Sequence, residues 1–211
     1  MPDTHSNHFA YQPATIEFVT VAAELCRLLE NTWQTDTTAL VRQLRVMLPL
    51  LYAKTQALQS DAGDGGDEYL EQFVFEDDYE TVRTALKAAL GQHDTFLDSF
   101  HPDMAFTPEP PAADISEYIA DIYQEIKDMA GNFQTGDEEV MKSAVEACRA
   151  SFDEHWGRKL ISALAALHAI SDSEMQDSNG QAAQDNNDDN SGSNEDEDDN
   201  TNYGKFFNHN K

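Results

Sequence analysis

The sequence predicts an all-α fold: a single multihelical bundle or array of about five to seven helices over residues 1–171, followed by a disordered acidic tail over residues 172–211. Three observations carry that prediction. Apolar residues recur three and four positions apart through most of the first 171 residues, the spacing that lays them on one face of a helix. Dinucleotide-binding and P-loop patterns are missing, and no internal repeat period stands out, so α/β nucleotide folds and solenoids lose their usual signals. The stretch MQDSNGQAAQDNNDDNSGSNEDEDDN near the end holds almost nothing apolar that could offset the entropy of ordering the chain.

The first helix is expected over residues 14–31, with Pro13 at its entrance, where a missing N–H costs nothing. Its apolar stripe reads as Ile16, Val19, Ala23, Cys26 and Leu29 or Glu30, with Glu17, Glu24 and Arg27 elsewhere, and Trp33 closes the element. A second helix over residues 38–59 places Leu40, Leu44, Met47, Leu48, Leu51 and Leu58 on a broad face. Pro49 inside it must remove a backbone hydrogen bond and bend or divide the helix. The stretch SDAGDGGDE is the clearest internal loop. YLEQFVF, residues 69–75, is short and reads as a helix extension or a lone extended segment.

A third helix is expected over residues 76–96 through Tyr79, Val82, Leu86, Ala89 and Leu90. Glu76, Asp77 and Asp78 stand at its start, where exposed N–H groups favour negative charge. Proline-rich loop takes over by His101. The fourth helix begins at Asp114 or Ile115 and runs to Phe133, with Asp114 as cap and Glu117 three residues later at capping-box spacing. Ile115, Tyr118, Ile119, Ile122, Ile126, Met129 and Phe133 form its stripe. GNFQTGDEE turns the chain, and Asp137 caps a long last helix, residues 138–170, in which Gly157 marks a point of weakness or close approach.

Along that last helix Phe152, Trp156, Leu160, Leu164, Leu167 and Ile170 fall within one arc at 100° per residue. Ile161 widens the arc to half the circumference, which predicts a central helix with several neighbours. His155 falls on the polar side beside Lys159 and Ser162, and His168 at the edge of the apolar arc. Their separation, about 20 Å at 1.5 Å per residue, is too great for the two to hold one metal. Gly157 lies inside the arc next to Trp156, where packing room explains it. Asp153 also falls inside the arc and, if buried, needs a cation or donors, from Arg149 one turn earlier or from another helix.

The formal net charge is −27, of which the eleven acids and two lysines of residues 172–211 supply about −9. Such a balance repels nucleic-acid phosphates and anionic lipid, and favours a basic protein partner or cations. The opening MPDTHSNHFAYQPATIEF lacks the form of a secretory signal, and no apolar run is long enough to cross a bilayer. Cys26 and Cys148 read as buried thiols of a cytoplasmic protein in preference to a disulfide or metal pair.

Candidate chemistry is sparse. Glu24, Glu80, Asp121, Glu125, Asp153 and His168 sit on different helices, as ligands in a helical metal bundle would, yet the Glu-x-x-His pattern of two-metal carboxylate sites is missing. If the protein is an enzyme, Asp153 and His168 are the first acid–base or ligand candidates. Neither cysteine has a local histidine to activate it, and no cofactor or metal is predicted. Trp156 and Gly157 are candidates for packing or interaction. Tyr203, Phe206 and Phe207 in TNYGKFFNHNK make either a small docking motif or an aromatic-containing arm with no specific partner.

The segments FVTVAAELCRLLE (18–30), LPLLYAKTQAL (48–58) and FDEHWGRKLISALAALH (152–168), in that order, resemble an uncharacterised bacterial family of all-helical domains over roughly residues 10–171. That resemblance implies a fold and no mechanism. The function expected from all of this is a non-enzymatic interaction or regulatory domain; the alternative is a helical metal-binding protein or metal-dependent hydrolase.

Overall fold

Residues 9–58 and 69–171 are described in the computed structural model; the SDAGDGGDE loop and the acidic tail with Tyr203, Phe206 and Phe207 lie outside these residues. The elements are α1 (Pro13–Glu30), α2 (Thr37–Ala57), α3 (Glu76–Leu90), β1 (Thr95–Leu97), β2 (Ala112–Asp114), α4 (Ile115–Phe133), α5 (Glu138–Ser151) and α6 (Gly157–Ala169). The helices form an all-α bundle. Among the described residues one ribbon pairs β1 with β2 antiparallel, Thr95 opposite Asp114 and Leu97 opposite Ala112.

Pro13 opens α1 as expected, but the buried face is rotated from the predicted stripe. Phe18, Ala22, Leu25, Cys26 and Leu29 point inward, whereas Ile16 is 48% exposed and Ala23 faces solvent. Both series satisfy helical spacing. The one carrying Phe18 and two leucines removes more apolar area from water and is the one buried. Helix α2 is capped by Asp36, which accepts from the Ala39 N–H at 3.1 Å, and runs through Pro49 without dividing. Pro49 is on the exposed side, while Leu44, Leu48 and Leu51 on either side of it are fully buried, so packing holds the helix across the lost hydrogen bond.

The segment 69–75 is extended and belongs to no sheet. Asn132 of α4 brackets Glu71, accepting from its N–H at 2.9 Å and donating to its carbonyl at 2.8 Å. Asp128 accepts from the N–H groups of Phe73 and Val74 at 2.7 and 2.8 Å. One helix face thereby satisfies the backbone that a neighbouring strand would otherwise satisfy. Gly131 makes the contact possible: a Cβ there would lie 2.3 Å from the Phe73 ring.

Helix α3 stops at Leu90 and not near 96, because Gly91 takes φ 54°, a left-handed conformation that ends helices. The chain then turns to bring Asp94 beneath α4. Asp94, and not Asp114, caps that helix, its carboxylate accepting from the Ser116 N–H at 2.7 Å and from the Ser116 hydroxyl at 2.8 Å. Asp114 instead receives Thr95 Oγ1 at 2.7 Å and Lys87 Nζ at 3.0 Å. A capping box assigned from neighbouring residues loses here to a cap delivered from twenty-two residues upstream.

Helix α5 is capped by Asp137, which accepts from Glu139 N–H at 3.0 Å and Val140 N–H at 3.3 Å. The long last helix is continuous but interrupted in register by a π turn over Phe152–Trp156, closed by the Gly157 N–H donating to the Phe152 carbonyl. Gly157 is a close-approach residue: an added Cβ would stand 2.5 Å from that carbonyl oxygen and 3.0 Å from the Phe152 ring. Trp156 is buried and donates Nε1–H to the Cys148 carbonyl at 3.2 Å. The central helix is α4, which packs against α1, α3, α5 and α6; α6 lies on α2 and α4 and leaves Ile161 exposed. The core runs from Phe18, Leu25 and Leu29 through Leu44 and Leu48 to Ile119, Ile122, Trp156 and Leu160.

Candidate functional site

The acidic and imidazole side chains singled out in the sequence do not converge. Glu24 pairs with Arg27 inside α1 at 2.7 Å, and Glu80 with Arg83 inside α3 at 2.6 Å. Asp121 pairs with Lys159 of α6 and accepts from the Tyr79 hydroxyl at 2.9 Å. The Asp153 side chain is 56% exposed and pairs with Arg149; His155 and His168 are exposed. A count of 100° per residue put Asp153 among apolar neighbours. The π turn breaks that count between Phe152 and Trp156, and Asp153 faces outward. Among the described residues, no group of three His, Cys, Asp or Glu side chains is placed to hold a metal ion.

Ser162, expected on the polar surface, is instead buried against an aspartate the sequence reading passed over. Asp98, 1% exposed, follows β1 and accepts from Ser162 Oγ at 2.8 Å, Tyr118 Oη at 2.8 Å, Arg158 at 3.0 Å and the Phe100 N–H at 3.0 Å. Burial alone would raise its pKa; the donors and the Arg158 charge outweigh burial and hold it below the usual carboxylate value. Lys159 lies over the Tyr118 ring at 5.4 Å. This network ties the loop after β1 to α4 and α6. With donors on both oxygens, Asp98 is a structural joint and has little capacity left for acid–base work.

A cleft of about 650 Å³ lies between α4, α5, the π turn and the segment 69–75. Four carboxylates line it, Glu71, Glu125, Asp128 and Glu154, with His155 beside them and no Lys or Arg among its lining residues. Leu70, Met129, Ala144 and Cys148 supply apolar lining. Asp128 is committed to the backbone of Phe73 and Val74. Glu125 is half-buried, and desolvation pushes its pKa up; the Ser151 hydrogen bond opposes that rise and the nearby Asp128 charge adds to it. Cys148 is buried, and desolvation lifts its thiol pKa well above the ordinary value, so it is not a poised nucleophile. Cys26 is likewise buried and unbridged, its thiol pushed up to about 12 by burial. What the cleft offers is a recess of negative potential with an apolar lining, suited to a cationic side chain with an aliphatic stem.

Of Glu24, Glu80, Asp121, Glu125, Asp153 and His168, Glu125 alone lines this cleft. A signal for its neighbours exists in the text: Asp121, Glu125 and Asp128 stand four and three apart, on one face of α4. Asp98 has no such signal, since its side-chain partners are 20, 60 and 64 residues away.

No helix among the described residues is long and apolar enough to cross a membrane. Residues 9–173 match the model of a family described as a domain of unknown function, DUF5063. Among solved structures, the crystal structure of protein BF1032 from Bacteroides fragilis is similar, with 34% sequence identity over 78% of this chain and 98% of that one and a TM-score of 0.68. No curated protein matches the sequence.

Proposed function

The chain belongs to the family of domains of unknown function DUF5063, and from that premise we propose that it is a non-enzymatic interaction or regulatory domain whose acidic cleft receives a basic segment of a partner protein. The observation that carries this reading is the cleft lined by Glu71, Glu125, Asp128 and Glu154 with no Lys or Arg among its lining residues. A half-buried carboxylate in such a place is costly to ionise, and an arriving Lys or Arg relieves that cost while its stem covers Leu70 and Met129. The net charge of −27 draws basic segments inward from a distance, which speeds association and makes it salt-sensitive. The same charge argues against nucleic acid as the partner. A metal-dependent hydrolase finds no support in the placement of the donors. A cytoplasmic setting is part of the proposal, supported by two unbridged, buried cysteines.

The test is a fluorescence titration of the full chain with a labelled Lys- and Arg-rich peptide, beside the double variant Glu125→Gln, Glu154→Gln. Both substitutions leave the Asp128 and Asn132 contacts to residues 69–75 in place. The expected result is binding that weakens about tenfold in the variant, equivalent to about 1.4 kcal/mol. Equal affinity in the two proteins removes the cleft from the proposal, and absence of binding removes the basic partner.

A further inference from the structure

The segment 69–75 has one backbone edge in use and one bare. Asn132 bonds both the N–H and the C=O of Glu71, and Asp128 accepts from the N–H groups of Phe73 and, where the alternation ends, Val74. Successive residues of an extended chain turn their N–H and C=O groups to opposite sides. Those of Leu70 and Gln72 therefore face away from these contacts, and among the described residues none pairs with them. Tyr69, Phe73 and Phe75 are 85%, 36% and 61% exposed, and in an extended chain they share a face with Glu71. The Glu71 carboxylate has no ion-pair or hydrogen-bond partner among the described residues. Leu70, Glu71 and Gln72 all line the acidic cleft.

We propose that the basic segment of the partner protein binds as a β-strand added to this bare edge. Its main chain pairs with Leu70 and Gln72, a Lys or Arg stands opposite Glu71, and apolar side chains two residues to either side cover Tyr69 and Phe73. The inference rests on the acidic-cleft reading for the sign of the partner's charge, and adds the form in which the partner binds and the pattern of its sequence, apolar–x–basic–x–apolar. Charge selects the occupant. Glu71 lies within the edge and Glu76, Asp77 and Asp78 follow it, so a cationic strand is favoured there and facing charges of opposite sign stabilise the pair. A second copy pairing through the same segment sets Glu71 against Glu71 in a chain of net charge −27 and is repelled. A partner helix is the poorer match, because its own N–H and C=O groups are used internally and leave Leu70 and Gln72 unpaired. Main-chain pairing contributes affinity whatever the partner's side chains, and the alternating side chains supply the choice of partner.

The test uses the full chain, isotope-labelled, and a capped peptide with lysine at its centre, a threonine on each side and a valine beyond each threonine. Solvent exchange of the Leu70 and Gln72 amide protons, read by NMR at saturating peptide, is expected to slow about tenfold or more. The same peptide N-methylated through its central residues offers no donors on either edge, and is expected to bind about tenfold more weakly and to leave that exchange unchanged. Equal affinity for the two peptides, or binding that leaves the Leu70 and Gln72 exchange unaltered, overturns the added strand while the acidic cleft stands. A lysine peptide that does not bind at all overturns both. Glu71→Gln keeps the backbone contacts to Asn132 and sharpens the register: it should weaken the lysine peptide about tenfold and leave a peptide with norleucine in place of lysine unaffected. Equal loss for the two peptides overturns the pairing of a cation with Glu71.

Discussion

Asp98 and Glu125 are both carboxylates withdrawn from solvent, one wholly and one in part, and their surroundings differ in kind. Asp98 meets a phenol, a serine hydroxyl, a guanidinium and a backbone N–H, and its pKa falls. Against desolvation Glu125 has one serine hydroxyl and the His155 charge, with the Asp128 and Asp121 charges adding to the penalty, and its pKa rises. Burial penalises charge in both places. What separates them is how many donors the surrounding elements deliver, and that difference distinguishes a group used to join the fold from one left able to meet a ligand.

The largest effect is expected at the joint. Asp98→Ala removes the buried partner of a part-exposed Arg158 and leaves the Tyr118 and Ser162 hydroxyls without their acceptor, so it should lower unfolding free energy by about 3 kcal/mol, read from urea denaturation. The pH dependence has a definite sign. A carboxylate whose folded pKa lies below its unfolded value stabilises fully above the unfolded value, and that stabilisation disappears as pH falls through the folded value. The gap between Asp98→Ala and the natural protein should accordingly narrow in acid. A gap that stays constant down through the carboxylate range would mean that packing, not charge, makes Asp98 important.

A smaller effect probes the wall of the cleft. Gly131→Ala would by helix propensity alone stabilise α4 by about 1 kcal/mol. The Phe73 ring stands where the new Cβ must go, so we expect that gain to be cancelled or reversed and the segment 69–75 to loosen from Asp128 and Asn132. Faster hydrogen exchange at the Glu71, Phe73 and Val74 amides is the readout. A protein stabilised by the full propensity difference, with exchange unchanged, would show that the ring moves aside freely and that the cleft wall is not set by this contact.

The same contrast explains what could be read in the sequence. The spans of α1, α2 and α4 were legible because a helix face repeats every three to four residues, and so was the Asp137 cap, whose partners are two and three residues away. The α1 face was misread where two stripes compete, and only tertiary packing chooses Phe18 over Ile16. Asp94 and Asp98 were illegible as caps and joints because their partners arrive from other elements. The π turn was also hidden, since Phe152 and Gly157 meet five residues apart, outside the ordinary helical spacing. Glu125 was visible as an acid on a helix, but not as one lining a cleft, because α5, the π turn and the segment 69–75 make the other walls.

The smallest effect is expected at Glu125, and with the opposite sign from Asp98. A carboxylate whose folded pKa is raised adds stability below its unfolded value and loses it as pH rises through the folded one. At neutral pH the ionised side chain is therefore a burden on the fold. Glu125→Gln should then raise the melting temperature at neutral pH by an amount corresponding to less than about 1 kcal/mol, and the advantage should vanish in acid, where the natural glutamate is neutral too. Lost stability in the variant at neutral pH would mean that Glu125 is already served by a donor in the folded chain, and the cleft would then resemble the Asp98 joint. A gain that reverses when a cationic peptide is added would tie the cost of ionising Glu125 to the ligand that offsets it.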